Sequence, residues 1–278
     1  MSDLRQWLGP VHVVLTGGEA LLNPDTIELV AHGRTLGLWV ELLSHGYWKD
    51  QEKIRALVNA RPARVTISLD SVSKTHNLIR GRDDFLQRTI QTIETLASLR
   101  TAEKQFEILL KTVIMQQNLA EVSDVAEFAA QQGLEVFYQP IEQNYNTPEN
   151  ALWFDHNETW PADTEAAVSA VKRLIELKTA GLPIANSLAQ LEVMIPYFRN
   201  PGTYRVAVQS HTAHESIQRC SAATMLQIQA NGDVTICTAK PPVGNIRTAP
   251  IKTIWSRRPR WWQEGCCLEQ RLGDAPPS

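Results

Sequence analysis

Along the first 141 residues, short apolar and β-branched runs alternate with longer segments whose apolar positions recur at helical spacing. The runs are VHVVLT, LWVELLS, RVTISLD, FEILLKTVI and LEVFYQPI; between them lie DTIELVAHGRTLG, QEKIRALVNA, FLQRTIQTIETLASLR and LAEVSDVAEFAAQQG. This alternation predicts βα units and a parallel sheet, because a strand covered on both faces is apolar throughout and each crossover is helical. Gly37 and Gly133 suit helix ends. Polar residues at the C-terminal ends of the strands carry the functional interest, since a βα barrel builds its site there.

After Pro140 the pattern changes. IEQNYNTPENALWFDHNETWPAD, rich in Asn, Pro and aromatic residues, predicts a long ordered loop. TEAAVSAVKRLIELKTAG predicts an amphipathic helix ended by Gly181, and SLAQLEVMIPYF another, closed by NPG. From about Gln218 a second unit begins, in which MLQIQ and VTIC form a hairpin around Asn231-Gly232. The expected organisation is a barrel-type region over residues 1–145, a helical and loop connection over 146–217, and a small cysteine-bearing domain over 218–278 with a disordered tail.

At 278 residues and 43% hydrophobic, the chain can bury one substantial core and a smaller second one. The formal net charge of −3 supplies no global basic field for nucleic acid or anionic membrane. The N-terminus lacks a basic segment followed by an apolar stretch, and no apolar window is long enough to span a bilayer. A cytoplasmic protein without membrane or nucleic-acid partners is expected. All four cysteines (Cys220, Cys237, Cys266 and Cys267) fall in the last quarter. A chain of this size without a secretory signal does not need a disulfide staple, so a bound metal or cluster is the stronger reading of these thiols.

Three constellations lie at strand ends. Gly17-Gly18-Glu19 follows the first run, where two residues without Cβ let a ligand approach the backbone and a carboxylate can pair with an ammonium; a plain strand-to-loop turn fits equally. Ser68-Leu69-Asp70-Ser71 follows the third and precedes Arg80-Gly81, although Ser and Asp also serve as helix caps. Lys111 interrupts the apolar run FEILLKTVI, with Asn118 beyond it, and a buried lysine needs an anion.

Together these pieces resemble the radical S-adenosylmethionine (radical SAM) superfamily. TGGEALLNPD is similar to the family's GGEP segment, ISLDS to its ISLDG and LIRGRDDF to its iRG, while ELLSHG occupies the place of TNG. RCSAATMLQIQANGDVTIC, GNIRTAPIKTIW and GCC resemble the cluster-binding extension called SPASM or, when shortened, twitch. The resemblance implies an α/β fold: a partial six-unit (β/α) barrel of TIM type lacking its first βα unit, plus a small α/β cysteine domain. It implies that Gly17, Gly18 and Glu19 hold the amino group of S-adenosylmethionine, that Ser68 reaches its ribose or carboxylate, and that Lys111 is a basic carboxylate partner, with Asp70, Asn118 and Gln139 as looser cofactor contacts. Cys220, Cys237 and one or both of Cys266 and Cys267 would ligate an auxiliary [4Fe–4S] cluster. The implied activity is reductive cleavage of S-adenosylmethionine to a 5′-deoxyadenosyl radical and hydrogen abstraction from a peptide or small-molecule substrate, with a flavodoxin or ferredoxin as electron donor.

Several positions depart from the family. Ala20 replaces the motif proline, Ser44-His45 replaces Thr-Asn, and Ser71 replaces the glycine of ISLDG. Adjacent Cys266 and Cys267 do not easily serve one cluster, which leaves three ligands with an open site, or none; zinc is the alternative metal. The CxxxCxxC loop of the catalytic cluster is not in the sequence. The reading therefore expects a fragment with Met1 internal to a longer protein, ahead of a scaffold that lost the cluster loop or a zinc protein. His211 and His214, the arginines 257, 258 and 260 beside Trp261 and Trp262, and the group Trp153, Phe154 and Trp160 are read as solvated or packing residues, the last also as a lining for a substrate mouth.

Overall fold

In the computed structural model, residues 1–102, 105–143, 152–201, 224–237 and 240–260 are described. The chain divides into two compact units, one of residues 1–139 and 176–186, the other of 140–175 and 187–278.

The first unit is built on one sheet, in the order β1 (His12–Leu15), β2 (Trp39–Ser44), β3 (Arg64–Ser68), β4 (Glu107–Ile114), β5 (Glu135–Pro140). Neighbours pair in parallel, with Leu42 opposite Val65 and Ile67 opposite Leu110. Strands adjacent in both sequence and space, joined by right-handed crossovers, place their connecting helices on one face. These helices are α2 (Thr26–Thr35), α3 (Gln51–Asn59), α4 (Lys74–Arg80) with α5 (Phe85–Leu99), and α6 (Asp124–Gln131); α1 (Ser2–Leu8) precedes β1. Val40, Leu42, Val65, Ile67, Ile108 and Leu110 are buried with Ile54, Leu57, Ile93 and Leu96 from the helices. Fully burying each such side chain stabilises by roughly 1.5–3 kcal/mol before entropy is counted. Beyond β5, Val136 bridges Ile184, and the Asn186 amide closes on the backbone of Tyr138 at both its N–H (2.7 Å) and its carbonyl (2.9 Å).

The sheet's other face is polar at its N-terminal end. His12 pairs with Glu41 at 2.8 Å, Thr66 donates to Glu41, and Arg64 lies over the Trp39 ring while pairing with Glu107.

Helix α7 (Thr164–Thr179) is a single element, whereas SLAQLEVMIPYF is two: α8 (Leu188–Glu192), opened by a capping box of Ser187 and Gln190, and α9 (Met194–Arg199). Pro196 has no N–H to offer the carbonyl four residues back, which breaks the expected helix there. Within this second unit, Trp160 packs against Trp153, Phe154, Tyr197 and Phe198 at centroid distances of 5.3–5.7 Å. The aromatic group is thus a packing cluster. A small antiparallel sheet of β6 (Gln227–Ile228), β7 (Asp233–Thr235) and β8 (Gly244–Asn245) follows, with Gly232 at φ +89° in the expected hairpin, and α10 (Ile251–Arg257) after it. No described helix is long and apolar enough to cross a membrane.

Candidate functional site

Parallel strands with consecutive order deliver their C-terminal ends to one rim, and the constellations after β1 to β4 meet there. A Cβ built on Gly17 or Gly18 would touch nothing within 4 Å, so the backbone after β1 borders open space. Ser68 and Lys111 are register partners on β3 and β4, hence neighbours on the polar face of the sheet. On β5 the buried positions are Val136, Tyr138 and Pro140, which leaves Gln139 facing the other way.

The remaining sequence-predicted residues turn their side chains into the protein. Glu19 caps the 3-10 turn Ala20–Leu22 by accepting the Leu21 N–H at 3.1 Å. Its other oxygen accepts the Ser44 hydroxyl at 2.7 Å and the His45 N–H at 3.1 Å, and the Trp48 indole N–H reaches the first at 3.4 Å. With a side chain only 4% exposed, the carboxylate ties the glycine loop to the loop after β2. Gly46 is required in that loop: it sits at φ +75°, and a Cβ would lie 2.8 Å from Ile67 Cγ2.

Asp70 is buried, accepts the Val113 N–H at 3.1 Å, and faces Arg80 Nη2 at 2.6 Å. The latter is a charge contact outside hydrogen-bond alignment, since Asp70 Oδ2 and Arg80 Nε have no hydrogen-bond partner. Asn118, fully buried, donates to the carbonyls of Asp70 and Val113, both at 2.8 Å, and accepts the Met115 N–H at 2.9 Å. Asp70 and Asn118 thereby bracket the ends of β3 and β4 where the ladder stops.

Sequence reasoning left three residues of this rim unassigned: Arg80, His45 and His76. Arg80 ends α4 at the left-handed cap Gly81, so the quoted LIRG already held the signal of a cation set by a helix terminus. His76 lies in the same helix; its Nδ1 accepts the Asp70 N–H at 3.2 Å, and burial followed by the nearby Arg80 charge pushes its pKa down to about 3. Burial also lowers the pKa of His45, opposed by Glu19 and reinforced by Arg80. Both imidazoles pack edge-on to Phe85, at 5.4 and 5.5 Å.

In the second unit, Cys237 follows β7, while Cys220, Cys266 and Cys267 lie outside the described residues, as do His211, His214, Trp261 and Trp262. Arg258 stacks on Trp255 at 3.5 Å and donates to its carbonyl.

Residues 3–129 match the radical SAM superfamily and residues 220–270 the SPASM iron-sulfur cluster-binding domain. The AdoMet-dependent heme synthase of Methanosarcina barkeri is 26% identical over 251 residues, 89% of this chain and 69% of that protein. The sporulation killing factor maturation protein SkfB of Bacillus subtilis is 33% identical over 130 residues, 46% of this chain and 30% of SkfB. Among solved structures, Streptococcus suis SuiB bound to S-adenosylmethionine superposes with a TM-score of 0.65 at 12% identity, covering 95% of this chain and 58% of SuiB. SuiB bound to its precursor peptide SuiA gives 0.62 at 13% identity, with coverages of 93% and 56%. The chain therefore spans between about a third and two thirds of these relatives.

Proposed function

We propose that this chain, a radical SAM protein with a C-terminal SPASM domain, holds S-adenosylmethionine against the C-terminal ends of β1 to β4, as part of an enzyme that abstracts hydrogen from a peptide or small-molecule substrate. The observation that carries this reading is the rim itself, where open backbone at Gly17-Gly18 lies on the same sheet end as the Ser68–Lys111 pair and Arg80.

The amino-acid end of S-adenosylmethionine is an ammonium beside a carboxylate, and the rim offers each a counterpart. Glycine carbonyls accept the ammonium, and the Ser68 hydroxyl, Lys111 and the Arg80 guanidinium suit the carboxylate. Glu19, Asp70 and Asn118 act one step back by holding these loops in place. If bound and cleaved at its S–C5′ bond by one electron, S-adenosylmethionine would release methionine and supply a 5′-deoxyadenosyl radical that side chains cannot make.

A catalytic [4Fe–4S] cluster does not fit the residues present, because no cysteine precedes Cys220 and no three His, Cys, Asp or Glu side chains gather among the described residues. The rim's part is therefore binding, orientation and exclusion of water. Cys220, Cys237 and one of the adjacent pair Cys266 and Cys267 suit an auxiliary [4Fe–4S] cluster by donor chemistry, as three thiolates with one open iron site. A peptide substrate is supported by SuiB with its precursor peptide and a small-molecule one by the heme synthase. A flavodoxin or ferredoxin as electron donor and a cytoplasmic location complete the proposal.

Equilibrium dialysis with labelled S-adenosylmethionine, on the full chain after anaerobic iron and sulfide reconstitution, tests the reading. Binding is expected, with loss in Gly18→Val, whose Cβ enters the open space without meeting protein within 4 Å, and weakening of about tenfold in Lys111→Met. A folded chain that binds no S-adenosylmethionine sinks the enzyme reading in favour of a scaffold. A colourless sample containing zinc replaces the auxiliary cluster with a zinc site.

A further inference from the structure

We infer that His45 is a specificity-determining residue of this rim, presenting a fixed Nε2–H donor to the carboxylate of the bound amino-acid-type ligand; this rests on the adenosyl-ligand reading above. The residue directly follows β2, close to Glu19 of the glycine loop and within the electrostatic reach of Arg80, with its side chain 28% exposed. Its backbone is pinned on both sides: the N–H is taken by Glu19 at 3.1 Å, and the carbonyl accepts the Thr89 hydroxyl at 3.4 Å. The ring is held edge-on to Phe85 at 5.4 Å and lies 6.5 Å from Tyr47.

The tautomer follows from the hydrogen bonds. Nδ1 accepts the Tyr47 N–H at 3.0 Å, so it carries no proton, and the remaining proton of a neutral imidazole lies on Nε2. Glu19 Oε2 is 3.2 Å from Nδ1 but off the direction a ring N–H would need, and it is already engaged by Ser44 and the His45 backbone. The charged groups facing His45 are Glu19 and Arg80, and burial lowers the ring's pKa against the pull of Glu19, with Arg80 acting in the same direction as burial. Nε2 meets no partner among the described residues. A fixed N–H, pinned beside a guanidinium at an open rim, selects an acceptor, and a carboxylate is the acceptor that Arg80 and Lys111 also favour.

Imidazole 15N–1H correlation spectra of the histidine-labelled full chain, from pH 5.5 to 8 and with and without S-adenosylhomocysteine, read this directly. The expected result is a His45 resonance pair typical of the Nε2–H tautomer, uncharged at pH 6.5, whose Nε2 signal moves on ligand addition. Dissociation constants from the same titration should rise about tenfold in His45→Phe and stay within about threefold in His45→Gln, whose amide nitrogen overlays Nε2 and keeps the N–H donor. An Nδ1–H tautomer or a charged ring at pH 6.5, with binding intact, overturns this inference alone. So does unchanged affinity in His45→Phe. If the unsubstituted chain binds neither S-adenosylhomocysteine nor S-adenosylmethionine, the adenosyl-ligand reading falls and this one falls with it.

Discussion

Arg80 Nη2 lies 2.6 Å from the carboxylate of Asp70, one side chain a quarter exposed and the other fully inside. The asymmetry decides what each does. Asp70 is anchored by the Val113 N–H and the packing around β3 and β4, so it sets the position of a guanidinium that still reaches the rim. Removing either partner leaves a charge or a backbone donor unsatisfied, but only the loss of Arg80 strands a charge that cannot reach water.

Arg80→Met is therefore expected to lower the unfolding free energy by about 3 kcal/mol and Asp70→Ala by about 2 kcal/mol. Because each single change abolishes the same contact, the double variant should cost less than the sum, by about 1 kcal/mol or more. Urea denaturation of the four proteins completes the cycle. Strict additivity would show that the two side chains do not interact energetically.

Two glycines with nearly the same backbone separate strain from crowding. Gly46 and Gly37 have φ of +75° and +72°, but a Cβ on Gly46 collides with Ile67 and Thr89, whereas one on Gly37 meets nothing. Alanine at 37 should cost about 1–2 kcal/mol, the left-handed penalty alone. At 46 the cost should rise by a further 1–3 kcal/mol, from overpacking. Equal melting temperatures for the two variants would refute the close approach of this loop to β3.

Acid sensitivity should trace to His76. Its folded pKa, about 3, lies below the ordinary value of 6.5, so between these limits the unfolded chain binds a proton that the folded chain refuses. Stability from this group is complete above pH 6.5 and is lost as pH falls toward 3, by at most about 1.4 kcal/mol per unit. Between pH 7 and 5 the native chain should lose about 2 kcal/mol that His76→Gln does not. Parallel denaturation curves for the two proteins across that range would mean the imidazole is not held uncharged.

Cys237→Ser addresses the second unit. If Cys237 ligates the auxiliary cluster, the variant should retain less iron and sulfide after anaerobic reconstitution and lose part of the broad visible absorbance of a thiolate-bound cluster. Iron content identical to the unsubstituted chain removes Cys237 from the ligand set.

The five strands and the helices between them could be read from periodicity because a parallel sheet covered by helices requires it. The misses have local causes. Helix α4 has one buried residue, His76, so it lacks an apolar stripe, and α8 and α9 part at Val193, ahead of a proline at 196 that cannot donate to the Glu192 carbonyl. Glu19, Asp70 and Asn118 were visible as polar residues at strand ends. Their distant partners were not, since three of the four donors to Glu19 come from positions 25 to 29 residues away, and Asn118 reaches Asp70 across 48.

What the sequence by itself determined is the order of strands and helices, the rim at which polar residues collect, and the separate cysteine region, because hydrophobic period, glycine placement and residue chemistry are local properties. The direction in which each polar side chain points was settled only by the tertiary structure. A buried carboxylate or amide must find hydrogen-bond partners wherever the fold brings them. That requirement turned Glu19, Asp70 and Asn118 inward as loop brackets and put Arg80 and His45 on the rim with Ser68 and Lys111.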